Sequence, residues 1–272
     1  MFDLHIHSTY SDGFFSVQEI VNMIKSKKLT GFSLTDHDTL RGVKEASYLA
    51  KINDLEFIPG VEFGINFMNK EVHILGYFID EGDSDLNNLT KSLQLSRINR
   101  IDAILDKLNE LNIPISINDL NKYKKTQFSS RTHIAMYLME HGYVKSMKES
   151  FDKYLGENGL AYIKKDNVSI KEIIAIIKNS GGVAVLAHPF HLDDIQIDNV
   201  IKSGIDGIEV INSKHRKNEI LKFLQLSQKH KLIPTSGSDC HGRYFQDDLL
   251  IGNYLCPKSS VERLKSLHKV RS

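Results

Sequence analysis

The first residues of the chain alternate between apolar and polar side chains. The apolar set is Phe2, Leu4 and Ile6, and the polar set is Asp3, His5 and His7. Because successive side chains of a β-strand point to opposite faces, this alternation predicts a strand with the polar groups on one face. Two imidazoles at positions i and i+2 of that face can reach a single metal ion. The alternative is a polar-faced edge strand whose two histidines share no ligand.

Four later segments are apolar runs that contain or end in imidazoles or carboxylates. They are residues 31–39 with Asp36, His37 and Asp38, residues 57–63 with Glu62 and then His73, residues 182–189 with His188, and residues 233–242 with Asp239 and His241. Ligands and catalytic groups gather at the carboxyl edge of parallel sheets and barrels. One such segment indicates little, but five on one edge predict a multinuclear metal site.

Helical patterns alternate with these strands. Two capping boxes, Ser16-x-x-Glu19 and Ser169-x-x-Glu172, predict helix starts, and the first helix is expected to end near Leu29. Further helices are predicted at residues 40–52, 217–230 and 260–268. The alternation of strands and helices predicts an α/β fold with a parallel sheet and right-handed crossovers.

Residues 80–163 interrupt this alternation. An acidic connector, residues 80–85, is followed by apolar side chains at three- to five-residue steps from Leu89 to Leu108. This spacing predicts a long amphipathic helix. Shorter helices are predicted at residues 131–141 and 146–155. We therefore expect a helical insertion over residues 80–163, carried on a barrel formed by residues 1–79 and 164–272. The lysine-rich segment 122–125 is either a solvated face or a contact for substrate phosphates.

Composition narrows the class of protein. A chain of 272 residues can bury one sizeable α/β core. The net charge of +1 gives no global field that attracts nucleic acid, so we expect no binding of duplex DNA. Cys240 and Cys256 form no C-x-x-C pair, which excludes a disulfide framework and a thiolate zinc site. Cys240 lies between Asp239 and His241, and we expect it to point the other way as a small buried residue.

The start of the chain also bears on localisation. Asp3 lies two positions after the initiator methionine, so cleavage of a signal peptide would destroy the predicted site, and no apolar run precedes it. The apolar run 173–177 is bounded by Glu172 and Lys178, and no stretch approaches membrane-spanning length. We expect a cytoplasmic protein with no membrane partner.

The ordered motifs resemble those of the PHP (polymerase and histidinol phosphatase) metal-dependent phosphoesterases. They are Asp3-x-His5-x-His7, Ser11-Asp12-Gly13, Thr35-Asp36-His37-Asp38-Thr39, Gly60-Val-Glu62, His73-Ile-Leu-Gly-Tyr77, Ala187-His188-Pro189 and Gly237-Ser-Asp239-Cys-His241-Gly242. The Ser11-Asp12-Gly13 motif and the segment around Ser130 resemble the branch that dephosphorylates nucleoside 3′,5′-bisphosphates or trims short RNA from its 5′ end. The resemblance implies a distorted (β/α)7-type barrel with the insertion as a substrate lid.

The same resemblance implies three divalent metal ions held by nine side chains. His5, His7, Glu62 and Asp239 would hold the first ion, Glu62 with His73 and His188 the second, and Asp12, His37 and His241 the third. Imidazole and carboxylate ligands without thiolate suit Mn, Fe or Zn and argue against Mg alone. Manganese is expected from the family more than from ligand chemistry. Asp36 and Asp38 are expected to support the ligands rather than to bind metal.

Phosphate ester hydrolysis is the chemistry expected of such a site. A metal pair lowers the pKa of bound water from ~15.7 toward ~7, and the resulting hydroxide would attack phosphorus in line. The expected catalytic residues are Asp12, His37, Glu62, Arg131 and His241. No serine or cysteine nucleophile is required.

A phosphate clamp is expected in the insertion. Arg131 is the best candidate because a guanidinium binds phosphate bidentately, and Ser130 at the start of the same helix could add donors. The alternative is an exposed arginine at a helix start, where its charge opposes the helix dipole. Further candidate contacts are His133 and either Lys164 or Lys165. Glu209 and His215 either contact substrate or are polar strand-end residues without a chemical role.

Two other functions stay open. A histidinol-phosphate phosphatase, or another small-molecule phosphatase, could use the same ligands, although the insertion and the Ser11-Asp12-Gly13 motif argue against it. A non-catalytic metal-binding module would lack several ligands, and none of the nine is missing here. The expected partner is therefore a nucleotide phosphate or a short RNA.

Overall fold

The computed structural model describes residues 1–123, 129–164, 168–242 and 250–272. Within these ranges seven strands form one sheet, ordered along the sheet as they are along the chain. The strands are β1 (Phe2–Ile6), β2 (Gly31–Leu34), β3 (Glu56–Phe67), β4 (Lys70–Tyr77), β5 (Val183–Leu186), β6 (Gly207–Asn212) and β7 (Ile233–Gly237). Short crossovers with helices join most neighbouring strands, as the alternating pattern predicted.

The expectation of a sheet that is parallel throughout was wrong. β4 runs antiparallel to both β3 and β5, while the other neighbours pair in parallel. β3 and β4 form a hairpin whose two turn residues, Met68 and Asn69, have φ of 51° and 62°. Positive φ at both positions matches the twist of a two-residue hairpin. Because two residues replace a crossover helix, β4 must reverse direction, and no Asn-Gly or Asp-Gly pair marked this turn in the sequence.

The last strand returns to the first. The amide of Asp239 donates to the carbonyl of His5 at 2.7 Å, and the amide of His7 donates to the carbonyl of Cys240 at 3.1 Å. Gly237 permits this approach, because a Cβ there would lie 2.3 Å from the Cβ of His5. The sheet is therefore a nearly closed barrel, which confirms the predicted fold class. The ends of β1 and β7 consequently lie side by side.

Nine α-helices occur in the part of the chain that the structure describes. They are α1 (Val17–Ser26), α2 (Val43–Ile52), α3 (Ser84–Glu110), α4 (Arg131–Glu140), α5 (Met147–Ser150), α6 (Ile170–Asn179), α7 (Asp194–Lys202), α8 (Lys217–Lys229) and α9 (Lys258–Arg271). No helix among the described residues is both long enough and apolar enough to span a membrane.

Local capping explains where several helices begin. At α1 the amide of Glu19 donates to Ser16 Oγ at 3.3 Å, and the amide of Ser16 donates to Glu19 Oε2 at 2.8 Å, which confirms the predicted capping box. Ser169 precedes α6 as predicted, but its side chain makes no capping hydrogen bond within the described residues. α7 was not predicted, and it starts with a box between Asp193 and Gln196.

The chain divides into two compact units. The first contains Met1–Lys91 and Asn167–Ser272, with all seven strands, and the second contains Ser92–Asp166. Apolar side chains from α3 and α4 fill the core of the second unit. Its residues 147–155 form α5 followed by one π-helical turn, rather than the single helix predicted for residues 146–155. The turn is closed by the Gly156 amide, which donates to the Phe151 carbonyl at 2.8 Å. The division of the barrel and insertion at residues 80 and 164 stays a prediction.

The two faces of β1 have different roles in the first unit. Ile6 packs with Val17 and Ile20 of α1 in a buried cluster that also contains Cys240. Cys240 is thus a small core residue, as predicted. On the opposite face, His5 of β1 and His7 just after it lie among the candidate ligands, whereas Asp3 accepts from the amides of Ser238 and Gly252. The helices of the barrel thereby hold the strands whose ends build the site.

Candidate metal centre

The nine predicted ligands all belong to the first unit. They are His5 in β1, His7 and Asp12 after β1, His37 after β2, Glu62 in β3, His73 in β4, His188 after β5, and Asp239 and His241 after β7. Glu62 and His73 lie inside their strands rather than at strand ends. This follows from the hairpin, because β3 extends past its pairing with β2 at Glu56–Pro59 to pair with β4, while Glu62 also forms a parallel bridge with His37 after β2.

The carboxylate of Glu62 is the centre of the cluster and is fully buried. Five imidazoles surround it: Oε1 is 2.8 Å from His73 Nδ1 and 2.9 Å from His188 Nε2, and Oε2 is 3.1 Å from His7 Nε2, 3.1 Å from His37 Nδ1 and 3.2 Å from His5 Nε2. A buried carboxylate without such partners would be costly, because desolvating an unpaired charge is strongly unfavourable. The position of Glu62 between five imidazoles allows its two oxygens to serve different ions.

Three groups of side chains bring their donor atoms within 4.8 Å of one another. They are His5 with Glu62, His188 and Asp239; His7 with Asp12, His37 and His241; and His37 with Glu62 and His73. The resemblance had implied a different division, with His7 beside His5 and His188 beside His73. His7 Nε2 is also 3.1 Å from Glu62 Oε2 and 3.3 Å from Asp239 Oδ1, so it borders two groups. The assignment of ligands to individual ions stays a prediction.

The donor atoms of the cluster fit a metal centre. His5 Nε2, both ring nitrogens of His7, Glu62 Oε2 and His188 Nδ1 are buried and make no hydrogen bond in the described residues. Buried polar atoms in proteins are almost always hydrogen-bonded, so such a concentration calls for another partner. Neutral imidazoles and carboxylates without thiolate are ligands for divalent transition ions. These residues can therefore hold metal, whereas an apolar ligand would leave the same atoms unsatisfied.

Electrostatics in the metal-free protein follow from the packed carboxylates. Burial disfavours the charged form of His7, but Asp239 and Glu62 outweigh this and raise its pKa to about 9. At the edge of the cluster burial prevails instead, and together with the charge of His7 it lowers the pKa of His241 to about 4. The pKa of Glu62 is held well below its usual value, although burial opposes this, because imidazoles such as that of His37 surround it.

A layer of supporting residues surrounds the candidate ligands. Asp36 Oδ1 accepts from the Ser8 amide at 2.7 Å and from Ser11 Oγ at 2.6 Å, which matches the expectation that Asp36 supports the ligands. Lys214 was missed by sequence reasoning, and its Nζ lies 2.5 Å from Asp239 Oδ2. Nothing in its neighbourhood along the chain singled it out, because its position depends on the loop after β6 folding toward β7.

The predicted phosphate contacts of the insertion lie in the second unit. Ser130 is the N-cap of α4, and its amide donates to His133 Nδ1 at 3.0 Å. Arg131 begins the helix, and its Nη1 donates to the Leu155 carbonyl at 3.4 Å. Lys164 is exposed, whereas Lys165 lies outside the described residues. These residues remain candidate substrate contacts.

His215 belongs to the first unit. Its ring is buried, with Nδ1 2.9 Å from the Val210 carbonyl and the ring centre 4.9 Å from that of Phe223. These contacts anchor the ring in the fold. A contact between His215 and substrate stays a prediction.

Comparison with known proteins decides the family. The PHP domain model matches residues 3–178, which include six of the nine candidate ligands. The chain belongs to the PHP family. With its buried imidazole and carboxylate cluster, it is a metal-dependent phosphoesterase, and this confirms the predicted enzyme class. A non-catalytic module is thereby disfavoured.

Individual PHP relatives cover almost the whole chain. A 3′,5′-nucleoside bisphosphate phosphatase of Chromobacterium violaceum is 31% identical over 246 residues, which are 88% of this chain and 86% of the relative. A 5′-3′ exoribonuclease of Haemophilus influenzae is 30% identical over 88% of this chain and 89% of the relative. A Bifidobacterium adolescentis protein assigned to the metal-dependent phosphoesterases is 27% identical, with a TM-score of 0.87 over 98% of this chain and 96% of that structure.

The raised imidazole pKa values generate a prediction about metal uptake. With a pKa of about 9, His7 carries a proton at pH 7 in the metal-free protein and must release it to bind metal. We expect metal affinity to rise with pH up to about 9, by about tenfold per pH unit for each proton released. Calorimetry in buffers of different ionisation enthalpy would count these protons.

A matched control tests whether His7 is the source of a proton released on metal binding. His7→Gln should release one proton fewer on binding, whereas His230→Gln, at the C-terminal end of α8 and outside all three groups, should release as many as the wild type. Metal affinity that stays constant between pH 6 and pH 8 would contradict the prediction.

Proposed function

We propose that this PHP protein hydrolyses phosphate monoesters of nucleotides, either nucleoside 3′,5′-bisphosphates or the 5′ end of short RNA. The observation that carries the proposal is the carboxylate of Glu62 among five imidazoles, since one residue in this position can join several metal ions. The substrate class is supported by the names of the two curated relatives, a bisphosphate phosphatase and a 5′-3′ exoribonuclease.

The proposed centre holds three divalent ions, most consistent with manganese by family. When bound, such ions generate a nucleophile from water at neutral pH and neutralise charge on the phosphoryl oxygens. Glu62 belongs to two of the three groups and lies 3.1 Å from His7 of the third, while His5, His188 and Asp239 complete the fully buried group. His241, whose pKa is lowered to about 4, is neutral at pH 7 and available as a ligand without losing a proton.

Asp12, His37 and His241 are the proposed catalytic residues on the open side of the cluster. Asp12 Oδ1 is 3.5 Å from His241 Nε2 and 4.0 Å from His37 Nε2. All three side chains are partly exposed, at 10–17% of their surface, as is that of His73 at 18%, whereas those of His5 and His7 are fully buried. Substrate would therefore approach the side of the cluster that Asp12, His37, His73 and His241 form.

The second unit is proposed to bind substrate as a lid. Arg131, Ser130, His133 and Lys164 are its candidate phosphate contacts, and His215 is the candidate in the barrel. Arg131 stands at the first position of α4, where its charge opposes the helix dipole and its Nη1 donates to the Leu155 carbonyl. A guanidinium there could bind the phosphate that is not hydrolysed.

A phosphate-release screen tests the proposed function. Protein purified without chelator should release phosphate from a nucleoside 3′,5′-bisphosphate or from 5′-phosphorylated short RNA faster than from histidinol phosphate. Glu62→Gln should lower kcat by orders of magnitude, because the residue joins the metal groups and loss of a catalytic ion forfeits several kcal/mol of charge stabilisation. His230→Ala should be unaffected. Preference for histidinol phosphate, or activity of folded, fully metallated Glu62→Gln within tenfold of wild type, would contradict the proposal.

The role of Arg131 can be separated from that of the metal centre. Arg131→Ala should retain its metal and lose roughly 1.5–3 kcal/mol, about ten- to a hundredfold in kcat/KM, on a bisphosphate. A chromogenic phosphate monoester without a second phosphate should be hydrolysed almost as before. Arg131→Lys should recover part of the loss, and Lys148→Ala, an exposed cation of the same unit, serves as control. Equal losses on both substrates would place Arg131 at the reacting phosphate, and no loss would make it a surface residue.

A further inference from the structure

Glu209 is a buried acidic residue outside the predicted ligand set. It lies in the middle of β6, has no exposed surface, and is absent from the three groups of candidate ligands found in the described residues. A buried carboxylate is tolerated when its oxygens accept hydrogen bonds. The groups that satisfy Glu209 therefore indicate what it does.

The two oxygens of Glu209 contact β1 and the residue that follows β5. Oε1 lies 3.1 Å from His5 Nδ1 on β1. Oε2 accepts from the backbone amide of His188, directly after β5, at 2.9 Å. Oε2 also accepts from Asn212 Nδ2 at 3.0 Å, which holds the carboxylate against its own strand. One side chain thus connects two candidate ligands that are far apart in sequence.

The contact with His5 selects one form of its imidazole. A carboxylate accepts hydrogen bonds, so the Glu209 contact places the proton of a neutral His5 ring on Nδ1. The lone pair is then on Nε2, which lies 3.2 Å from Glu62 Oε2 and 3.5 Å from Asp239 Oδ1. Carboxylates that bind the second nitrogen of a ligand histidine fix its orientation and raise its basicity.

The contact with His188 restrains a residue whose backbone conformation is uncommon. His188 has φ of 23° and ψ of 61°, a conformation that is costly for a residue with a side chain. It directly precedes Pro189, so the peptide after it offers no amide donor. The hydrogen bond from the His188 amide to Glu209 is therefore a main restraint on the direction in which this imidazole points toward Glu62.

The same network reaches a third member of the group. The Asn212 side chain that donates to Glu209 also accepts, through Oδ1, from the Lys214 amide at 3.0 Å. The Lys214 ammonium lies 2.5 Å from Asp239 Oδ2. His5, His188 and Asp239 are the three members of one candidate group besides Glu62. Among the described residues, the hydrogen bonds of Glu209 thus connect it to members of this group rather than to Asp12, His37 or His241.

We propose that Glu209 is a positioning residue for the His5–Glu62–His188–Asp239 group, and that its loss weakens one metal site selectively. The inference rests on the proposed metal centre. Its test needs no substrate, so it can fail or succeed independently of the proposed reaction.

The test replaces Glu209 by Gln and measures the affinity of each metal site by competition with a chelator. The measurement is made with Mn²⁺ and repeated with Co²⁺, which also serves as a spectroscopic probe. Gln keeps the size of the side chain, but its amide group presents a donor where Glu209 accepts, so either the His5 contact or the His188 and Asn212 contacts must fail. We expect one ion to bind about ten- to a hundredfold more weakly, with an altered Co²⁺ spectrum, while the other ions keep their affinities.

Asp206→Asn is the matched control. Asp206 directly precedes β6, where it accepts from Arg271 Nη2 at 2.7 Å and from the Ala184 amide at 2.9 Å, so its loss removes a structural carboxylate next to the same strand. This variant should lower the unfolding midpoint without changing any metal affinity. Wild-type affinities in Glu209→Gln, or an equal weakening of all ions, would overturn the proposal. If Glu209→Gln does not fold, Asn212→Ser provides the test and should weaken the same single ion, by a smaller factor.

Discussion

The burial of negative charge at one edge of the barrel is the constraint on which the site depends. Glu62 and Asp239 are almost fully buried, and charge of one sign cannot be packed there without cations or hydrogen-bond donors. In the protein the imidazoles around Glu62 and the ammonium of Lys214 meet this need. Metal ions meet it better, because imidazoles that bind them are neutral and no longer have to carry protons. The same packing that makes the metal-free centre unfavourable therefore makes it receptive to metal.

The barrel is what brings these groups together. Parallel strands deliver His5, His37, His188 and Asp239 to one edge from four separate parts of the chain. The β3–β4 hairpin extends beyond the end of β2, and a parallel bridge between Glu62 and His37 holds Glu62 at the middle of the cluster. The closure between β7 and β1 requires a glycine at position 237, where any side chain would collide with His5. Fold and site thus depend on the same few contacts.

The sequence was informative where side-chain periodicity and chemistry coincide. Alternation from residue 2 to residue 7 predicted β1 and its ligand face, and the strand-end motifs predicted which side chains would collect. The hairpin could not be predicted because its Met68-Asn69 turn lacks the usual signal. Lys214 and the contacts of Glu209 escaped prediction for another reason. Both depend on which strands become neighbours, and this is decided by the packing of the whole barrel rather than by local pattern.

The central claim is that one buried carboxylate joins several metal ions. Anomalous diffraction at the manganese edge, from crystals of active protein purified without chelator and supplied with Mn²⁺, tests it most directly. We predict more than one anomalous peak, with at least two ions in bonding contact with the oxygens of Glu62. A single peak, or peaks that avoid Glu62 while the protein releases phosphate, would contradict the claim.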